Sequence, residues 1–183
     1  MTAATLDAPL QLLCLGAEQF ETYRPGLVAL LLDAVRNGAS VGFLADLDRP
    51  QAEAYFDRVS AGLAEGSLRL WLVHEQERVL GSVQLSLCVK ANGLNRAEIQ
   101  KLLVLQDARR RGIARRLMQG LEAQAGTLQR GLLYLDTEAG SPAEAFYQAL
   151  GYQRAGEIPD YAAGPDGVYR PTALYFKLLR RPA

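Results

Sequence analysis

The spacing of apolar residues along this chain switches between a helical period and a period of two. Residues 9–15 (Pro-Leu-Gln-Leu-Leu-Cys-Leu) predict a first strand that ends at Gly16. After Pro25 the stripe Leu27, Leu30, Leu31, Ala34 and Val35 predicts a helix, with Pro25 in its first turn and Gly38 as a left-handed C-cap. A second helix follows Asp48-Arg49-Pro50, with Ala52, Tyr55, Phe56, Val59 and Leu63 on one stripe and Gly66 as its stop. Leu68, Leu70 and Leu72 then open a period of two. Past the polar turn 75–78, Val83, Leu85, Leu87 and Val89 alternate with Ser82, Gln84, Ser86 and Cys88, which reads as a half-buried antiparallel strand. Asn92-Gly93, two residues that tolerate positive φ, predicts a hairpin turn into a strand over 97–105.

Ala114, Leu117, Met118, Leu121 and Ala125 predict a third helix over 112–126, and residues 131–136 a strand. Strand, helix and strand at this spacing make a right-handed parallel crossover. Ser141-Pro142-Ala143-Glu144 opens a fourth helix, with serine at the N-cap, proline first and glutamate third; Gly151 ends it. Strands over 152–157 and 172–179 flank residues 159–171, where three prolines and two glycines predict a long loop of the kind that closes a site. The predicted fold class is α/β (α+β): one domain over 1–183 with a mixed, mostly antiparallel sheet and helices on both faces.

Composition narrows the function. At 183 residues, 49% hydrophobic and 22% charged, the chain is an ordinary globular protein. Twenty basic residues balance 20 acidic ones, so no net field draws it to nucleic acid or to an anionic membrane. Two cysteines, Cys14 and Cys88, do not make a disulfide framework and fit a reducing cytoplasm. A single histidine, His74, excludes a histidine-based metal site. Residues 1–7 lack the basic start of a secretory signal, and no apolar run approaches the roughly 20 residues of a membrane span. The expectation is a cytoplasmic protein without metal, whose oligomeric state stays open.

One segment is electrostatically odd. Residues 109–116 (Arg-Arg-Arg-Gly-Ile-Ala-Arg-Arg) hold five arginines across a predicted helix start. A helix N-terminus carries about half a positive charge, so each cation there costs roughly 0.3–1 kcal/mol. The same end exposes unpaired N–H groups that suit a phosphate. Gly112 and the small Ala114 let a backbone approach a ligand closely. A solvated basic turn is the plain alternative. The place of the segment, after a strand and opening a crossover helix, favours a bound polyphosphate.

Arg109-x-x-Gly112-x-Ala114, placed after Leu102-Leu103-Val104-Leu105, resembles the acetyl-CoA-binding motif of the GNAT superfamily of N-acetyltransferases. Ala143-x-x-Phe146-Tyr147-x-x-x-Gly151-Tyr152 is similar to that superfamily's later helix. Further blocks over roughly 38–178, among them Gln84-Leu-Ser-Leu-Cys88 and Leu135-Asp-Thr-Glu-Ala-Gly-Ser141, resemble its tabtoxin-resistance branch. Two positions depart from the superfamily pattern. Gln106 stands where proline is common, and Gly140 where an asparagine usually meets the pantetheine arm, which leaves that contact open, with Ser141 as the candidate replacement.

The resemblance implies acetyl-CoA as cofactor and an N-acetyltransferase that acts on a small amino-acid-like amine, with a β-lactam toxin as one such acceptor. It places the pyrophosphate on Arg109, Arg110, Arg111, Gly112, Ile113, Ala114 and Arg115, and the pantetheine along Leu103, Val104 and Leu105, whose amides are the candidate oxyanion donors. An ammonium with an ordinary pKa near 10.4 needs a proton acceptor at neutral pH. Glu98 at a strand start and Asp136 at the end of the partner strand are the candidates; the plain alternatives are a strand-end carboxylate and a turn residue. Tyr147 is implied as the group facing the cofactor sulfur, with Phe146 as the core aromatic beside it. Phe43, Asp46 and Tyr161 are the candidate acceptor contacts, under the loop 159–171.

Rival readings are weaker. Gly38-x-Ser40-x-Gly42 fits the hydrolase elbow pattern, but it follows a helix, and His74 lies in a strand. Cys88 carries no mark of a nucleophile. An acyl-CoA-binding sensor and a peptide N-acetyltransferase remain as alternatives of other classes.

Overall fold

The computed structural model describes residues 9–179; residues 1–7, read above for a secretory signal, lie outside them. Seven strands form one sheet in the order β1-β2-β3-β4-β5-β7-β6. They are β1 (Gln11–Leu15), β2 (Leu68–Glu75), β3 (Arg78–Leu87), β4 (Arg96–Val104), β5 (Leu132–Glu138), β6 (Gln153–Ala163) and β7 (Tyr169–Leu178). Every neighbouring pair is antiparallel except β4 with β5, the crossover pair. The helices are α1 (Phe20–Arg36), α2 (Arg49–Glu65), α3 (Ile113–Thr127) and α4 (Pro142–Ala149). On one face α1 and α2 bury Phe20, Leu27, Leu31 and Phe56 against Leu70, Leu72 and Leu103. On the other, α3 buries Ile113, Leu117, Met118 and Leu121 against Trp71, Val73, Val83 and Leu85.

Local chemistry accounts for the helix ends. Asp48 accepts the Gln51 N–H at 2.9 Å while Gln51 Oε1 accepts the Asp48 N–H at 3.0 Å, a complete capping box that starts α2. Gly38 at φ +83° closes α1: its N–H donates to Val35 and that of Ala39 to Ala34, both at 3.0 Å.

The structure corrects several expectations. α1 begins at Phe20, so Pro25 lies inside it; only the bond to the Glu21 carbonyl is forfeited, and the buried stripe on both sides outweighs that. β3 is buried on both faces, because α1 and α2 cover Ser82 and Gln84 as α3 covers the apolar side. The link from β3 to β4 is a 3-10 turn over Ala91–Gly93 with neither Asn92 nor Gly93 at positive φ. The long loop 159–171 is instead a hairpin: β6 runs to Ala163 and β7 starts at Tyr169. Both prolines sit where a strand tolerates them. The register shifts between Ile158 and Ala162, so Pro159 and the missing N–H of Pro171 fall at a bulge. Ser141 precedes α4 but makes no side-chain cap; Glu144 instead accepts the Gly140 N–H at 2.7 Å.

Candidate active site

The ladder between β4 and β5 runs from Arg96 opposite Leu132 to Glu98 opposite Tyr134 and stops there. Just beyond, β4 carries an extra residue. Gln84 faces Gln100, but Ser82 faces Leu103, and Lys101 takes the left-handed φ of +51°. Such a bulge bends its strand away from its neighbour. β5 continues alongside β7, so a wedge opens at the C-terminal ends of the two parallel strands, where open α/β sheets bind ligands.

The backbone along the wedge is only partly free. The Leu105 N–H donates to the Leu80 carbonyl at 2.9 Å and is taken. Alternation along an extended strand turns the Val104 N–H to the opposite side, toward the wedge. Of the three strand amides read as candidate donors, that of Val104 is the one turned into the wedge.

At the mouth, Gly112 at φ +77° begins α3 without a side-chain cap. The first intrahelical donor is Arg116, to Gly112, so the amides of Ile113, Ala114 and Arg115 have no acceptor within the helix. A Cβ on Gly112 would meet nothing within 4 Å, which leaves room for a ligand against the backbone. Arg109, Arg110 and Arg115 are exposed. Arg111 is engaged elsewhere: its Nη2 donates to Glu75 at 2.7 Å. The Ile113 side chain is buried in the core, so only its amide serves the site. Asp33 of α1 accepts the Gln106 N–H at 2.9 Å and ties the approach to this loop, a contact 73 residues long in sequence that no local pattern announces.

Register places the chemistry on the α1/α2 face. Ser86, Glu98, Tyr134 and Phe176 form one cross-strand row, and Asp136 lies two residues beyond Tyr134 on the same face. The Asp136 carboxylate accepts from the Thr172 hydroxyl at 3.1 Å; that single proton has the Thr137 carbonyl, at 2.9 Å, as its other acceptor. Tyr147 comes from α4. Its ring is 8% exposed and packs on Phe146, Tyr152 and Tyr175. Tyr147, not Phe146, is therefore the core aromatic, yet its hydroxyl is not sealed and bonds to no described residue. Burial, then the charge of Asp136, pushes this phenol up to about 12, so it is neutral and a proton donor at physiological pH. Ser141 Oγ is buried with no partner, a group that calls for a ligand's polar atom.

Lys101 was not read from the sequence. Its ammonium lies 5.7 Å from the Tyr55 ring centroid and 3.7 Å from where a Cβ on Gly42 would stand. Desolvation lowers its pKa although Asp136 and Glu98 pull it upward. The signal was present: Gln100 and Lys101 break the alternation, and the core side chains change parity from Ala97 and Ile99 to Leu102 and Val104. Tyr55 donates to the buried Gln84 at 2.8 Å and meets Phe43 edge-on at 5.4 Å. The segment of Phe43 then reaches the β6–β7 turn, where the Ala45 N–H donates to Pro165 at 3.0 Å. Asp46 is exposed on that segment and its carboxylate meets no described residue; Tyr161 stands 49% exposed on β6. The structure thus gathers Glu98, Asp136, Tyr147 and Lys101 at the wedge, with Phe43 beside it, and ties neither Asp46 nor Tyr161 to them.

The rival motifs keep ordinary roles. His74 Nδ1 lies 2.6 Å from the Gln76 carbonyl, and its ring packs on Tyr23. Gly38-x-Ser40-x-Gly42 leaves the end of α1, not a strand.

Residues 32–152 match the sequence model of the acetyltransferase (GNAT) family. Among solved structures, the chain is similar to a ribosomal-protein-alanine N-acetyltransferase from Brucella melitensis, at 19% identity and a TM-score of 0.77 over 92% of this chain and 99% of that one. It is similar to a GCN5-related N-acetyltransferase from Kribbella flavida at 20% identity and a TM-score of 0.75, over 93% and 98% of the two chains. A structure from Salmonella typhimurium, described as an acetyltransferase with its cofactor acetyl-CoA, is similar at 14% identity and a TM-score of 0.76, over 96% and 97%. At these identities the likeness is one of fold.

Proposed function

The chain belongs to the acetyltransferase (GNAT) family, and on that premise we propose that it moves the acetyl group of acetyl-CoA onto the amine of a small amino-acid-like molecule. The wedge between β4 and β5, with free helix amides at its mouth and two carboxylates on its flank, is the observation that carries this reading. The residues fit the cofactor. The amides of Ile113, Ala114 and Arg115, with exposed Arg109, Arg110 and Arg115, suit its pyrophosphate. The Val104 amide and the unpartnered Ser141 hydroxyl suit its pantetheine amides. Bound acetyl-CoA supplies a thioester carbonyl open to attack.

The chain's own groups then handle protons and orientation. Glu98, directly or through water, takes the proton of the acceptor ammonium, and Asp136, held by Thr172, supports it. Tyr147, neutral because its phenol titrates near 12, gives a proton to the departing sulfur. The Val104 N–H offers positive charge where the carbonyl oxygen gains negative charge. Phe43 shapes the acceptor side, with Asp46 and Tyr161 at its edge.

A β-lactam toxin is the acceptor that the resemblance to the tabtoxin-resistance branch suggests, and two unpaired cysteines suit a cytoplasmic setting. A peptide acceptor would need room for the rest of its chain to leave the site beside the N-terminal amine. The hydrogen bond from Ala45 to Pro165 bridges the acceptor side and favours a small molecule. The test is release of free thiol from acetyl-CoA with a panel of small amines, peptides and polyamines. Turnover with small amines is expected; acetylation of peptides alone would overturn the small-molecule assignment, and no turnover with any acceptor would leave the chain a binder.

A further inference from the structure

Lys101 is costly in two ways that the reaction as described does not use. It holds a non-glycine residue in the left-handed region, a strained backbone conformation. It also keeps an ammonium half-buried with no ion pair or hydrogen bond to any described residue, only the Tyr55 ring at 5.7 Å. The bulge aims this charge at the acceptor side of the wedge, beneath Gly42 and Phe43, on the face that carries Glu98 and Asp136. The wedge therefore presents two carboxylates and, within reach of their field, one ammonium that makes no direct bond to either.

A primary amine needs only the anionic groups. A cation held beside them at a cost in stability has a use when the same acceptor molecule carries a negative charge next to its amine. We propose that Lys101 is the specificity-determining residue of the acceptor site, binding the carboxylate of a zwitterionic amino-acid acceptor while Glu98 and Asp136 receive its ammonium. This rests on the acetyl-transfer reading and deepens it: the substrate class becomes α-amino acids or close analogues, not amines in general.

The test uses matched pairs that differ only in the carboxylate: serine and ethanolamine, tyrosine and tyramine, lysine and cadaverine. For each pair kcat/KM is measured by thiol release, and binding without turnover is measured by calorimetry with CoA present. The wild type should prefer the carboxylated member. In Lys101→Met that preference should fall about 10- to 100-fold, mostly through KM, as expected for loss of one charge-assisted hydrogen bond. Lys101→Gly, whose residue suits the left-handed bulge, should lose the preference equally, and Lys101→Arg should recover part of it. A preference that stays within about twofold in Lys101→Met and Lys101→Gly would overturn the inference. So would an equal kcat loss for both members of each pair, which would make the ammonium part of the chemistry instead. Wild-type turnover of both members alike would overturn the inference and leave acetyl transfer standing; no turnover of any amine would overturn both.

Discussion

Lys101 and Tyr147 are both shifted by burial, in opposite directions, and each shift gives a measurable consequence. For Lys101 the folded pKa lies below the ordinary value of 10.5. Between the two values the unfolded chain holds the extra proton, so stability rises with pH across that window and the full penalty is felt below it. Lys101→Met should therefore be more stable than wild type at neutral pH in urea unfolding, and the gain should shrink as pH climbs toward 10.5. A gain that does not change with pH would assign it to packing alone. For Tyr147 the phenol titrates near 12, so it should produce no falling limb in the kcat profile below about pH 11. Tyr147→Phe should lose about 100-fold in kcat, the scale of one positioned proton donor. An unchanged kcat would show that the thiolate leaves unaided. The placement of Glu98, Asp136 and Tyr147 beside the wedge was readable because motif and strand ends marked them. Lys101 was hidden by the bulge, since an extra residue in one strand is seen only against its partner's register.

The elements position the site through two glycines that act differently. A Cβ on Gly81 would lie 2.8 Å from the Leu103 carbonyl and 2.8 Å from the Ile113 side chain. Its absence lets the start of α3 press onto β3 beside the wedge. Gly81→Ala should cost about 1–3 kcal/mol in thermal or denaturant unfolding, because the obstacle is backbone that cannot step aside. Gly112 instead faces open space at φ +77°. Gly112→Asp should place a carboxylate where the free amides await a phosphate, and Gly112→Ala, which carries the same left-handed strain without the charge, is its control. Calorimetry should show acetyl-CoA affinity reduced at least tenfold, and unchanged affinity would remove the pyrophosphate from this loop. Arg111, bonded to Glu75, is the arginine of the cluster least suited to such a test. The helices and the meander were legible because their stripes and caps are local. The β6–β7 hairpin was not: Pro159 and Pro171 read as loop residues until the bulge that accommodates both is seen. The contact from Asp33 to Gln106 joins elements too far apart in sequence for any periodic pattern to mark.

At the scale of the whole molecule, the sheet is parted where the β4–β5 ladder stops, and the wedge opens there. Helix layers on both faces hold β1 through β4 as one slab. β5, β7 and β6 form the other, joined to the first by a short β4–β5 ladder from Arg96 to Glu98 and by the core beside α3, which spans both. Beyond that seam the unpaired strand edge, the helix amides and the carboxylates all face one wedge, so cofactor and acceptor would meet there from opposite sides. The most direct measurement is steady-state thiol release from acetyl-CoA at neutral pH with the best amine acceptor, comparing wild type with the double variant Glu98→Gln, Asp136→Asn. Wild type should turn over, and the double variant should be on the order of a hundred- to ten-thousand-fold slower, with acetyl-CoA affinity by calorimetry little altered. Equal rates in the two proteins would contradict proton transfer at this wedge, and no release with any amine would contradict acetyl transfer itself.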